Sequence, residues 1–159
     1  MMLVSADGSH NTHSGFISPE HSPQQGSLQQ RPHSQYRVLL VDDDQGTRQL
    51  LQDILDKHPD VTIVGEAGDG KEAVAMAIEC KPDVILMDIG LPYLDGVEAT
   101  HCIKQACPHT VIICLTGHFS PPKYSAMRTA GAAAFVCKNQ LLAIHETIMY
   151  AVRQWTSWK

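Results

Sequence analysis

Five short apolar runs punctuate the chain, and none of them alternates with polar positions. They cover residues 37–41, 61–65, 83–87, 110–115 and 133–137, and branched side chains dominate them. Continuous apolar runs of this length predict strands buried on both faces of a parallel sheet. Between them the apolar spacing turns helical. Leu50, Leu51, Ile54 and Leu55 form one stripe, Ala73, Val74, Ala77 and Ile78 another, and Val97, Ala99, Ile103 and Ala106 a less regular third. Pro121 and Pro122 stand where the first turn of a fourth helix tolerates them, and Gly131 follows as its C-terminal cap. Leu141, Leu142, Ile144, Ile148, Val152 and Trp155 give a fifth helix its buried face. The pattern predicts an α/β domain with one sheet layer between two helix layers.

Residues 1–35 break this pattern. They are rich in Ser, Gln, His, Pro and Gly and lack periodicity, so they cannot bury enough surface to offset their ordering entropy. A disordered N-terminal extension over 1–35 and an ordered domain over 36–159 are expected. Trp155 and Trp158, near the C-terminus, either cover the end of the last helix or offer apolar surface to a partner.

A net charge of −5 gives no global attraction for nucleic acid or an anionic membrane, so direct binding to either is not expected. The apolar runs are too short to span a bilayer, and the N-terminus lacks the basic start and apolar stretch of a signal peptide. A cytoplasmic location is the simple expectation. Five cysteines, an odd number with no Cys-x-x-Cys pair, are read as buried free thiols. His10, His13, His21 and His33 have no Cys or carboxylate cluster beside them, so no structural zinc is expected.

The chemistry lies where the strands stop. Asp42 and Asp43 follow the first run, Asp88 the third, Thr116 the fourth and Lys138 the fifth. In an open parallel sheet all strand C-termini share one edge, where ligands bind. Each residue has a plainer use alone: Asp42, Asp43 and Asp44 as helix caps, Asp88 in a turn, Thr116 at a strand exit, Lys138 as a solvated charge. Together they form a set with a purpose. Three carboxylates in one cleft repel, and a hard divalent cation such as Mg2+ relieves them. A carboxylate can accept a phosphoryl group, and a hydroxyl and an ammonium can hold the transferred oxygens.

These segments resemble the motifs of the response-regulator receiver family. The resemblance rests on Val38 to Asp44, Val84 to Gly96, Leu115-Thr116-Gly117 and Phe135-Val136-Cys137-Lys138, and spans about residues 36–154. It implies a flavodoxin-like (βα)5 fold with a five-stranded parallel sheet in the order 2-1-3-4-5. It implies Asp88 as phosphoacceptor, charged by a histidine kinase or a histidine phosphotransfer protein. Asp43, Asp88 and the backbone carbonyl of Gly90 would bind Mg2+ directly, with Asp42 acting through water. Thr116 and Lys138 would hold the phosphoryl oxygens. Phe135 matches the aromatic position that turns inward with Thr116 and reshapes the surface of the fourth helix, fifth strand and fifth helix. An unidentified downstream protein, or a phosphorylation-dependent homodimer, would read that surface. No enzyme activity is implied beyond promoting its own phosphorylation and dephosphorylation.

Two departures bear on subtype. Asn139 replaces the Pro that commonly follows the lysine, and Ala132-Ala133-Ala134 precedes Phe135 where Gly is frequent. The first, with Val64-Gly65-Glu66-Ala67, is similar to receivers that precede LuxR-type helix-turn-helix domains. The sequence given stops just past the last predicted helix, which suggests a stand-alone receiver or a regulator without its DNA-binding half. The competing class is a phosphatase of haloacid-dehalogenase type, whose Asp-x-Asp-x-Thr/Val motif would need Thr or Val where this chain has Gly46.

Overall fold

The computed structural model describes residues 35–157. Residues 1–34 of the expected extension and Trp158 lie outside them. Five strands alternate with five helices: β1 (Tyr36–Val41), α1 (Gln45–Leu55), β2 (Val61–Ala67), α2 (Gly70–Cys80), β3 (Val84–Asp88), α3 (Gly96–Ala106), β4 (Val111–Thr116), α4 (Pro121–Ala130), β5 (Ala134–Cys137) and α5 (Ile144–Thr156). A 3-10 segment, Lys138–Ala143, joins β5 to α5. The strands are parallel, in the order β2-β1-β3-β4-β5. This is the flavodoxin-like arrangement expected from the sequence.

Successive strand residues point to opposite faces, and here both faces are covered. Val38, Leu40, Leu86, Ile113 and Leu115 pack under α1 and α5 against Leu51, Leu55, Ile144 and Ile148. Leu39, Val41, Ile85, Met87 and Ile112 pack under α2, α3 and α4 against Ala77, Ala99, Ile103 and Met127. That double burial is why the runs carry no alternation.

Three helices start on an aspartate whose carboxylate accepts from the backbone N–H three residues on: Asp44 from Thr47, Asp69 from Glu72 and Asp95 from Glu98. α4 ends on Gly131, whose φ of 117° lies in the left-handed region. The strand bounds differ from the sequence reading in a useful way. Asp88 and Thr116 are the last residues inside β3 and β4 rather than the first beyond them. β2 runs on to Ala67, because a register shift between Val38 and Leu39 absorbs one extra residue.

Some side-chain expectations need correction. Leu50, Ile78 and Leu142 were placed on buried stripes but are 48%, 50% and 85% exposed. These three stand at the edges of their stripes, where helical rotation turns them to solvent, while Leu51 and Leu141 face the core. The cysteines are free, but only Cys114 is buried, and Cys102 is exposed on α3. Trp155 covers rather than projects. It packs against the α1/α5 core, with Lys104 Nζ 4.3 Å from its ring centroid. Among the described residues no helix is long and apolar enough to cross a membrane.

Candidate functional site

The strand order reverses direction at β1, which has β2 on one side and β3 on the other. The carboxyl ends of β1 and β3 flank the crevice where such sheets bind ligands. Asp42 and Asp43 leave β1 there, and Asp88 ends β3. Asp42, Asp43 and Asp88 each bring a carboxylate oxygen within 4.8 Å of the others. Asp42 is fully buried, Asp88 is 6% exposed, and Asp43 is exposed.

One cation faces the pair of buried carboxylates. Lys138 enters from the end of β5, with Nζ 2.7 Å from Asp42 Oδ2 and 3.3 Å from Asp88 Oδ1. The first approach is an ion-pair distance, but its angles do not make a directed hydrogen bond, so Oδ2 keeps unused acceptor capacity inside the protein. Burial alone would lower the Lys138 ammonium. The short contact with Asp42 and the charges of Asp88 and Asp42 outweigh burial and hold it above the ordinary lysine value. Asp88 moves up as well, first because it is buried and then because Asp42 is charged, while Lys138 works in the opposite direction. One ammonium is therefore too little for this cluster. All the donors are oxygens, the preference of a hard divalent cation, so the residues present fit Mg2+.

The remaining members frame the crevice. Gly90 N–H reaches Asp88 Oδ1 at a long 3.4 Å. The Thr116 hydroxyl donates to the carbonyl of His118 at 2.5 Å and accepts its N–H at 3.2 Å, so it is held by its own turn. Phe135 is half-buried, and Tyr124 of α4 lies over it with centroids 4.0 Å apart. A hollow of about 210 Å³ sits beside them, lined by Ile89, Thr116, Phe119, Tyr124 and Phe135 among others. The fold thus brings Asp42, Asp43, Asp88 and Lys138 together and leaves Thr116 and Phe135 at the rim. A larger hollow of about 840 Å³ between α3 and α4 holds no such charge cluster.

Three contributors were not singled out in the sequence. Arg48 Nη1 donates to the Asp42 carbonyl at 2.6 Å, and its Nε lies 3.7 Å from Glu66, fastening β1's end to α1 and β2. An arginine in the first turn after an acidic strand end was the available signal. Cys114 lies behind Asp88, and burial pushes its thiol up to about 12, so no thiolate competes there. Tyr124 gave no signal, because its contact with Phe135 depends on how α4 docks.

The sequence pattern of the response regulator receiver domain matches residues 38–148. The chain belongs to this family. It is 47% identical over 120 residues to a protein-glutamate methylesterase/protein-glutamine glutaminase of Thermotoga maritima, covering 74% of this chain and 33% of that protein. It is 40% identical over 107 residues to the transcriptional regulatory protein LiaR of Bacillus subtilis, covering 67% of this chain and 51% of LiaR. A LuxR-family two-component response regulator from Aurantimonas sp. SI85-9A1 superposes with a TM-score of 0.72 at 30% identity, over 76% of this chain and 87% of that one. The chain thus spans a third to a half of these two curated relatives. It is a receiver domain of the two-component response regulators, and receivers are phosphorylated by histidine kinases and bind Mg2+ at their acidic pocket.

Proposed function

We propose that Asp88 is the phosphoacceptor of this receiver, and that its phosphorylation switches the surface built by α4, β5 and α5. The observation that carries the reading is Lys138 bridging the buried Asp42 and Asp88 at the β1/β3 crevice.

An Asp88 carboxylate oxygen would attack the phosphorus of a phosphohistidine on a histidine kinase or phosphotransfer protein. The P–N bond breaks, its electron pair stays on the imidazole nitrogen, and an acyl phosphate forms on Asp88. Burial and the neighbouring charge of Asp42 destabilise the ionised Asp88 ground state; as the acyl phosphate forms, that charge passes with the electron pair to the leaving imidazole, which takes up a proton from solvent. Lys138 is already within reach of Asp88 Oδ1 and would pair with a phosphoryl oxygen. Asp43, Asp88 and the Gly90 carbonyl would hold Mg2+, with Asp42 acting through water. Bound there, the ion would neutralise charge shared between carboxylates and phosphoryl oxygens. Thr116 would leave the His118 carbonyl to donate to the phosphoryl group. Its departure opens the neighbouring hollow to Phe135, which must slide from under Tyr124, and so α4 shifts. A partner protein, or a second copy of the chain, would read the altered face.

Intact-mass measurement after incubation with Mg2+ and acetyl phosphate, and then with a phosphorylated phosphotransfer protein, tests the reading. One added phosphoryl group on the wild type and none on Asp88→Asn is expected. No addition from either donor, or equal addition on both proteins, would overturn it.

A further inference from the structure

Away from the acidic crevice, a second cluster joins the loop after α1 to the first turn of α5. His145 Nε2 lies 3.0 and 3.1 Å from the two oxygens of Asp60. The His58 ring stacks on His145 with centroids 3.6 Å apart and planes 7° from parallel. All three residues are half-buried, and they can place one donor atom each within 4.8 Å of one another.

A neutral imidazole carries one free nitrogen lone pair that can ligate a metal. Two imidazoles and a carboxylate form the donor set of a three-ligand zinc site. Around an ion with bonds of roughly 2.0–2.1 Å, tetrahedral donors sit about 3.3 Å apart, close to the spacing already present between His145 and Asp60. Parallel rings do not aim two lone pairs at one point, so His58 must swing out of the stack. It lies on the connection between α1 and β2, partly open to solvent, where a side-chain rotation is available. We propose that His58, Asp60 and His145 bind a late first-row divalent cation, Zn2+ foremost, with water as the fourth ligand. Mg2+ is a poor occupant, since imidazole nitrogen suits zinc and its neighbours whereas magnesium prefers oxygen. The donors lie up to 87 residues apart in the chain (145 − 58 = 87), so no ligand spacing marks them in the sequence. The bound ion would clamp the α1–β2 connection to α5, the helix that follows Lys138 through the 3-10 segment.

The test is calorimetric titration of the full chain with Zn2+, with Mg2+ in excess to shield Asp42, Asp43 and Asp88. Wild type and a His10→Gln/His13→Gln variant should keep one site. His58→Gln, Asp60→Asn and His145→Gln should each weaken it by more than the roughly tenfold loss that disturbing an outer-shell partner causes. The visible absorption of bound Co2+ should vanish in the same three variants. Because a substitution can unsettle the fold, ring-proton NMR of the unsubstituted chain is the second measurement. One equivalent of Zn2+ should shift the His58 and His145 signals. Unchanged signals overturn the proposal, as does equal Zn2+ binding in all variants or its loss only in His10→Gln/His13→Gln.

Discussion

Gly96 is where a single methyl group would reach the strand that ends in Asp88. It opens α3, and its N–H donates to the Ile89 carbonyl at 3.0 Å, closing the loop that follows Asp88. A Cβ at this position would sit 2.2 Å from the Asp88 carbonyl oxygen, 2.8 Å from Ile89 Cα and 3.1 Å from Asp88 C. Ordinary contact begins near 3.4 Å, so α3 and β3 must part by about 1 Å. Every one of these atoms is backbone and none can swing aside. Overpacking of this kind costs about 1–3 kcal/mol, and the better helix propensity of alanine returns less than about 1 kcal/mol of it. Gly96→Ala should therefore lose about 2 kcal/mol, near the upper end of that balance. Gly90→Ala is the control: a Cβ there meets nothing within 4 Å, and its stability should stay within about 0.5 kcal/mol of wild type. With a urea slope of about 2 kcal/mol/M, the denaturation midpoint of Gly96→Ala should fall by about 1 M while that of Gly90→Ala stays put. Phosphoryl uptake should slow in Gly96→Ala, since small displacements of reacting groups have large rate effects. Coincident urea curves for Gly96→Ala and wild type would refute the reasoning.

The remaining expectations follow from the same geometry. Lys138→Met strips the cation from two buried carboxylates and should destabilise the fold by about 3 kcal/mol at neutral pH, read from urea midpoints. Lys138 is held above the ordinary lysine value, so its contribution is complete below the unfolded pKa of about 10.4 and is lost as pH rises through the folded value. Wild-type stability should accordingly fall in that alkaline window, and Lys138→Met should lack this fall. Asp88 is raised, so its ionisation disfavours the folded state as pH climbs from about 3.9 through the folded value. Asp88→Asn should then be the more stable protein at pH 7, with its advantage vanishing below the unfolded pKa; a constant difference across that range would contradict this. Tyr124→Leu removes the ring over Phe135 and should cost about 1 kcal/mol of aromatic pairing, while NMR of the Phe135 ring should show faster motion.

Much of this was legible because the fold is written in burial. Val38 to Val41 and Val84 to Met87 are apolar without interruption since helices cover both sides of the sheet, and the acidic residues that end those runs inherit a common edge. Asp88, Asp42 and Lys138 could be placed together from topology alone. Orientation was another matter. The sequence does not show that Thr116 is engaged by the His118 backbone, that Tyr124 lies on Phe135, or that Leu142 faces out while Leu141 faces in. Each depends on a rotation of a few tens of degrees in a helix or turn, which spacing alone does not fix. The His58, Asp60 and His145 cluster was illegible for a different reason: its members lie on the α1–β2 connection and in α5, not at the strand ends that share one edge.

Reductive mapping of the phosphorylated protein tests the central assignment most directly. Borohydride converts an aspartyl phosphate to homoserine, and peptide mass spectrometry then locates the altered residue. Conversion at Asp88 alone, abolished when the phosphodonor is omitted, is the predicted result. Homoserine at Asp42, Asp43 or Asp95 with Asp88 intact would contradict it.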